Sequence, residues 1–203
     1  MILGSFLLYE LRLTNKIIIS TGIRNDNHKG FGSKTTRRIS GTFKPSDNII
    51  IRSSWGEGFK VPTIFQSTYF CCGAKSANSS IKPEISTSYD FGFELFFNEM
   101  NSNFSVTYFD QDINDQINFS FGVGGYENID RVNSKGFEVA LNYQISKPMS
   151  LYFNYSYIDS VDGNGSPLFY VAKDSGEAGL IYKINKSYSG SIIARYNGSE
   201  SSS

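Results

Sequence analysis

The sequence predicts an all-β fold, an antiparallel transmembrane β-barrel, on three observations. Apolar and polar residues alternate along most of the chain, aromatic side chains dominate the apolar positions, and tight turns alternate with long connections. Thirteen tyrosines and seventeen phenylalanines bring aromatics to 15%, and the chain also holds nineteen glycines, more than helices tolerate. That composition favours strands and turns. Nineteen Lys and Arg balance nineteen Asp and Glu, which leaves no electrostatic footprint for nucleic acid. No stretch is apolar for long enough to form a membrane-crossing helix, but barrel strands need only every second residue to be apolar. The opening MILGSFLLYELRLT has no basic start and is interrupted by Glu10 and Arg12, so it reads as a strand and not as a leader.

Ten strands follow from the period of two. Leu7, Tyr9, Leu11 and Leu13 share a face of the first, against Leu8, Glu10 and Arg12. Ile17, Ile19, Thr21 and Ile23 mark the second; Ile39, Gly41 and Phe43 the third; Ile49, Ile51 and Trp55 the fourth. The fifth is the clearest, with Tyr89, Phe91, Phe93, Leu95 and Phe97 backed by Asp90, Gly92, Glu94, Phe96 and Asn98. In the sixth, Phe104, Val106 and Tyr108 take even positions while Phe109, Ile113, Ile117 and Phe119 take odd ones, so a β-bulge is expected at Tyr108–Phe109. Phe137 to Ile145, Leu151 to Tyr157, Ala178 to Ile184 and Tyr188 to Tyr196 supply the remaining four.

The connections separate this pattern from that of a soluble sandwich. Thr14-Asn15, Pro45-Ser46-Asp47, Glu99-Met100-Asn101, Ser146-Lys147-Pro148 and Asn185-Lys186-Ser187 read as tight turns. Between them lie long connections at Asn25–Lys34, Gly56–Pro83, Phe121–Arg131 and Ser160–Leu168. Strict alternation of short and long is the layout of an outer-membrane barrel, with Tyr9, Tyr89, Tyr157 and Tyr196 suited to its interfacial girdles. Glu10, Arg12, Arg24, Arg38, Arg52, Asp90, Glu94, Glu138 and Arg195 then have to face a wet or protein-filled lumen. With the long loops outside, both chain ends fall on the outer side, which predicts an internal segment of a larger barrel lacking strands at each end.

The stretch WGEGFKVPTIFQ, Trp55 to Gln66, breaks the alternation. Its glycines, Gly56 and Gly58, offer backbone shapes closed to other residues where a strand leaves a sheet. Pro62 holds Val61 extended and stops the ladder. With its Trp55, Gly56, Gly58, Phe59, Lys60 and Pro62, this stretch resembles the aromatic-Gly-x-Gly-Phe-Lys-x-Pro of TonB-dependent outer-membrane receptors. Ile81-Lys82-Pro83-Glu84 is similar to that family's Leu-Lys-Pro-Glu, and Tyr89 to Glu94 to its Tyr-Glu-x-Gly-Val-Glu. Tyr108 to Ile117, Tyr126-Glu127-Asn128, Gly136-Phe137-Glu138 and Asn154 to Asp159 continue the likeness in order.

The resemblance implies about ten consecutive strands of a 22-stranded barrel whose lumen holds a plug. Residues 1–203 would then be a partial barrel domain without the plug. It implies uptake of a metal chelate, a ferric siderophore or cobalamin, driven by TonB acting through the plug, in contact with outer-membrane lipid and not with nucleic acid. No catalysis and no resident cofactor are expected. The second reading is a small complete barrel acting as a surface hydrolase or adhesin, which would rely on Asp26 and His28.

Five aromatics are candidate ligand contacts on the outer loops: Phe59, Phe65, Tyr69, Phe70 and Tyr126. Their bland alternative is packing among the loops themselves. Cys71 and Cys72 are candidates for a vicinal disulfide, with incidental occurrence as the alternative. His28 beside Asp26 reads as a solvated residue more readily than as a metal ligand. Asp110, Asp112, Asn114 and Asp115 resemble a calcium loop but lack its glycine and distal glutamate, so strand termination is the expectation. The resemblance also assigns Glu94, Glu138, Arg38 and Arg52 to plug contacts, against simple solvation of the wall.

Overall fold

A computed structural model describes residues 2–97, 101–168 and 171–200. Among these, ten strands form one antiparallel sheet in which each strand pairs with its sequence neighbours, from β1 to β10 in order. The strands are β1 (Ile2–Arg12), β2 (Ile17–His28), β3 (Gly32–Ser46), β4 (Ile49–Lys60), β5 (Glu84–Phe97), β6 (Ser102–Ser120), β7 (Gly125–Ser146), β8 (Met149–Asp162), β9 (Asp174–Lys183) and β10 (Ser189–Asn197). One short helix, α1 (Ile64–Thr68), lies between β4 and β5. Among the described residues no helix is long and apolar enough to cross a membrane.

Register puts the apolar rows of all ten strands on one face. Tyr9 opposes Thr21, Thr21 opposes Ile39, Ile39 opposes Trp55 and Trp55 opposes Tyr89. Phe91 opposes Tyr108, Tyr108 opposes Phe137 and Phe137 opposes Tyr157. Since side chains alternate strictly between faces, a slip of one residue anywhere would have broken this row. Leu7, Tyr9, Ile192 and Tyr196 on this face are all more than half exposed, because the medium that covers this wall is lipid and not protein.

The tight turns fall where expected at the lower end. Leu13 N–H reaches Ile17 O at 3.0 Å, and the Thr14 hydroxyl accepts from Lys16 and Ile17 N–H at 3.1 Å each. Asn185 Oδ1 does the same for Ser187 and Tyr188 N–H, at 2.8 and 3.0 Å. Of the turn Glu99-Met100-Asn101, the first two residues lie outside the described set, as does Asn98. The register shifts sit at the turns, between Phe43 and Ser46 and between Gln144 and Ser146. The first of them holds Pro45, which cannot donate to a ladder.

The expected bulge at Tyr108–Phe109 is absent. Pairing runs unbroken through both residues on either side, Asp90 to Phe109 and Phe109 to Gly136. Phe109, Ile113, Ile117 and Phe119 therefore occupy the polar face, and the apolar period changes sides while the strand itself does not. Three of the four long connections also turn out shorter than the sequence suggests. β2 and β3 extend to a three-residue turn at 29–31, β6 and β7 to a four-residue turn at 121–124, and β4 runs on to Lys60. A membrane crossing needs only about 9–11 residues of strand, so β7, with 22, projects well beyond it. Outside hydrocarbon neither face must be apolar, and the sequence signal fades although the ladder persists.

Gly56 and Gly58 correct the reading of the WGEGFKVP stretch in the same way. Both lie within the β4–β5 ladder, opposite Ser88 and Ser86, and neither has a positive φ. Gly58 provides space, since a Cβ there would fall 2.3 Å from Ser86 Oγ, whereas one on Gly56 would make only ordinary contacts, 3.7 Å from Arg38 Cβ. The ladder stops at Lys60, just before Val61 and the buried Pro62.

Candidate functional site

The buried apolar core of the described residues lies in the projecting part of the sheet. Ile81, Ile117 and Val132 are 6%, 7% and 1% exposed. They mark where the segment 61–83 folds back over the polar-side face of β6 and β7. The segment starts with a capping box: Thr63 Oγ1 accepts from Gln66 N–H at 3.1 Å, and Gln66 Oε1 accepts from Thr63 N–H at 2.9 Å. Its middle pairs with the β7 start through the Phe70–Gly125 bridge and Cys71 N–H to Gly124 O at 2.8 Å. Gly124 has φ +66, and a Cβ there would meet Cys71 O at 2.3 Å, so this contact requires glycine twice over.

Asn128 fixes the returning end. Its side chain accepts from Lys82 N–H at 2.8 Å and donates to Lys82 O at 2.9 Å and to Asp115 O at 2.7 Å. One amide thus stands in for a strand partner where the chain has none. Glu84 Oε1 accepts from Lys60 Nζ at 2.9 Å and from Ile117 N–H at 3.1 Å, tying β4, β5 and β6 together at the point where β6 outruns β5. The motif residues Lys60, Pro62, Lys82 and Glu84 therefore build the seat of the loop. Pro83 immediately precedes β5.

The seated segment assembles rings. Phe65 lies 4.8 Å from Tyr69 and 6.0 Å from Tyr126; Tyr69 lies 6.3 Å from Tyr126 and 6.2 Å from Phe119. Phe119 also contacts Tyr126 at 5.6 Å and Phe121 at 5.0 Å, both edge-on. Three of the five candidate aromatics, Phe65, Tyr69 and Tyr126, come together here. Phe70 sits beside them on its bridge, about half exposed. Phe59 does not join, since it pairs with Ile85 and falls on the opposite face, in line with Trp55. Phe119 and Phe121 were missed; the phase change at Phe109 was the signal that β6 carries an inward aromatic face. At the tip, Ile64 and Phe121 remain 85% and 79% exposed.

Cys71 and Cys72 are joined as a vicinal disulfide beside the β6–β7 turn, with Cys72 at φ 59. His28 Nδ1 accepts from Gly30 N–H at 3.1 Å and its ring packs 5.1 Å from Phe31, while Asp26 is engaged by Arg24 at 2.6 and 2.7 Å. The two residues thus serve different partners. No group of three His, Cys, Asp or Glu able to hold a metal occurs among the described residues. Strand termination at Asp110–Asp115 is also corrected, because β6 continues to Ser120. Asp110 accepts from Asn133 Nδ2 at 2.8 Å and Asp112 pairs with Arg131 at 2.7 Å.

Lower down, the polar face carries an Arg52–Glu94 ion pair, a Ser54–Asp90 hydrogen bond and an Arg195–Glu177 ion pair. Glu138, Asn154, Ser156, Glu177 and Arg195 line a polar recess of about 430 Å³. Arg38 and Glu138 have no ion-pair partner within reach among the described residues. Gly136 makes room for the crossing of β6, β7 and β8, since a Cβ there would lie 1.9 Å from Tyr157 O and 3.0 Å from Phe109 Cζ.

A sheet that is apolar outside, charged inside and crowned by a loop-covered extension is a stretch of transmembrane β-barrel wall from a bacterial outer membrane. The sequence profile of the TonB dependent receptor-like β-barrel family matches residues 2–203, and the chain belongs to that family. It is 26% identical over 168 residues to the hemin receptor of Yersinia enterocolitica, covering 63% of this chain and 24% of that protein. It is 30% identical over 129 residues to the vitamin B12 transporter BtuB of Vibrio vulnificus (strain YJ016), covering 62% of this chain and 20% of that protein. The crystal structure of the siderophore receptor PirA from Pseudomonas aeruginosa superposes with a TM-score of 0.81 at 18% identity, over 97% of this chain and 38% of that one. The chain thus spans about a quarter of the length of the curated relatives it matches. The reading as a small self-contained hydrolase or adhesin gains nothing from these likenesses.

Proposed function

We propose that residues 1–203 are part of the barrel domain of an outer-membrane receptor that takes up a metal chelate, with the loop 61–83 and the β6–β7 turn contributing to chelate capture. The observation that carries this reading is the ring cluster Phe65, Tyr69, Phe119, Phe121 and Tyr126, gathered on the lumen side of the wall above the membrane. Its chemistry suits the flat or apolar organic shell of a chelate, so capture would act on the ligand and not on the bare metal. Hemin and vitamin B12, named for two relatives, and ferric siderophores, implied by a third, all present such a shell. The role is binding and transport, not catalysis.

On this reading the two margins, β1 and β10, join further strands, because an unpaired edge leaves N–H and C=O groups unsatisfied in hydrocarbon. Arg38, Arg52, Glu94 and Glu138 face a plug domain, through which TonB acts. The test is binding of hemin, cobalamin and ferric siderophores to the full-length receptor, with and without Phe65→Ala, Tyr69→Ala and Phe121→Ala together. Loss of about 1.4 kcal/mol, a tenfold weaker Kd, is expected for the chelate that binds. Unchanged affinity for every chelate bound would remove the loop from the capture step.

A further inference from the structure

The bond between Cys71 and Cys72 is not placed to stabilise the fold as disulfides usually do. That effect comes mainly from closing a loop in the unfolded chain, and these two residues are neighbours, so no loop is closed. What the bond restrains is the backbone of the pair itself. Cys72 has φ 59 and Gly73 φ 96, and Ala74 N–H returns to Cys71 O at 3.0 Å. Two successive residues of positive φ inside such a hydrogen bond follow the pattern of a type I′ turn, whose central places favour glycine, asparagine and aspartate. Gly73 suits its place and Cys72 does not.

The turn is fitted closely to its surroundings. Cys71 N–H reaches Gly124 O at 2.8 Å, and a Cβ on Gly124 would lie 2.9 Å from Ala74 Cβ. On either side of it the chain is bound to the start of β7, by the Phe70–Gly125 bridge before and by Asn78 Nδ2 donating to Tyr126 O at 3.1 Å after. The backbone of this one turn therefore joins the two attachments of the middle of segment 61–83. Cys72 is exposed and Cys71 half-buried. Residues 1–203 hold no third cysteine, so the pair has no partner among them for reshuffling, and exchange requires a thiol from outside.

We infer that Cys71–Cys72 is a thiol-exchange site that controls how firmly segment 61–83 is seated. Oxidised, the bond holds Cys72 in the left-handed region and the segment on β7. Reduced, Cys72 returns to ordinary backbone angles and the middle of the segment lifts from the β6–β7 turn. A thiolate of an external dithiol attacks the exposed Cys72 Sγ, the S–S bond breaks, and Cys71 leaves as a thiolate that takes up a proton. The second thiol of the reagent then displaces Cys72, so the pair gains two electrons and two protons while the dithiol becomes a cyclic disulfide. The inference concerns the seating of the loop and holds whether or not the loop captures a chelate.

The experiment is hydrogen exchange of the full-length receptor in detergent, read by mass spectrometry before and after dithiothreitol, with iodoacetamide trapping the thiols at 71 and 72. Reduction should expose both thiols and speed exchange of the amides at 70–78 about tenfold, with β3 to β5 unchanged. Cys71→Ala with Cys72→Ala should exchange like the reduced receptor and ignore dithiothreitol. Cys71→Ala with Cys72→Gly should exchange like the oxidised receptor, since glycine enters the left-handed region without a bond to hold it there. Thiols that stay untrapped under dithiothreitol, exchange in the reduced receptor within about twofold of the oxidised one, or a glycine variant as loose as the alanine variant would each overturn the assignment.

Discussion

The lower and upper parts of β6 and β7 obey the same alternation and are stabilised by opposite faces. Up to Tyr108 and Phe137 the apolar side chains point outward: Phe104, Val106 and Tyr108 on one strand, Phe137, Val139 and Leu141 on the other. Beyond that level the outward positions become Asp110, Asp112, Asn133 and Lys135, and the apolar ones turn inward as Ile113, Ile117, Phe119, Tyr126 and Val132. Solvent explains the exchange. Below the level, hydrocarbon covers the outer face and no protein core is needed; above it water covers that face, and the strands persist because segment 61–83 buries the inner one. The row Trp55, Tyr89, Tyr108, Phe137 and Tyr157 marks the boundary, with Tyr89 and Tyr108 rings 5.7 Å apart and Phe137 stacked on Tyr157 at 5.6 Å.

Charges placed on one outward row should measure that boundary most sharply. Val106→Arg, within the belt, should destabilise the folded receptor by about 3 kcal/mol, whereas Asn114→Arg on the same face should change it by less than about 0.5 kcal/mol. Urea unfolding in lipid vesicles, read by tryptophan fluorescence, decides this, and similar losses would place both residues in the same medium.

Next in size is the core of the upper part. Ile117→Ala should cost the loop-covered region about 2–3 kcal/mol. Hydrogen exchange of segment 61–83 should report the loss while the belt strands keep their protection, and uniform loosening would show that the two parts are one cooperative unit. Asn128→Ala removes three hydrogen bonds from the returning end of that segment, worth about 2 kcal/mol after solvent takes their place. Faster proteolytic nicking between Gly73 and Ser80, with an intact barrel band, is the expected readout. The smallest effect belongs to Lys60→Met. Its pair with Glu84 is half exposed, with the lysine side chain 56% accessible, and should be worth about 0.5 kcal/mol in the same nicking assay.

How much of this was legible in the sequence depended on which medium covered each face. Leu95, Phe93, Phe91 and Tyr89 gave away both their strand and their outward side, because lipid demands an apolar residue at every second position. The end of β4 was misplaced by five residues because Gly56 to Lys60 meets no such demand, and glycines in a ladder look like glycines in a turn. Lys60, Lys82, Glu84 and Asn128 were visible as motif residues; that they bind one another's strands was not, because their partners lie 24, 46 and 33 residues away. The ring cluster was half visible, since Phe119 looked like an ordinary strand residue out of phase.

The sequence by itself determined the ten strands, their order of short turns and the face each strand turns to lipid, since strand alternation is a local property that hydrocarbon selects residue by residue. Tertiary structure alone decided that the apolar period crosses the sheet at Phe109 without a bulge, and that a distant segment supplies the cover. These are relations between strands, and only pairing register and packing bring the residues that make them within reach of one another.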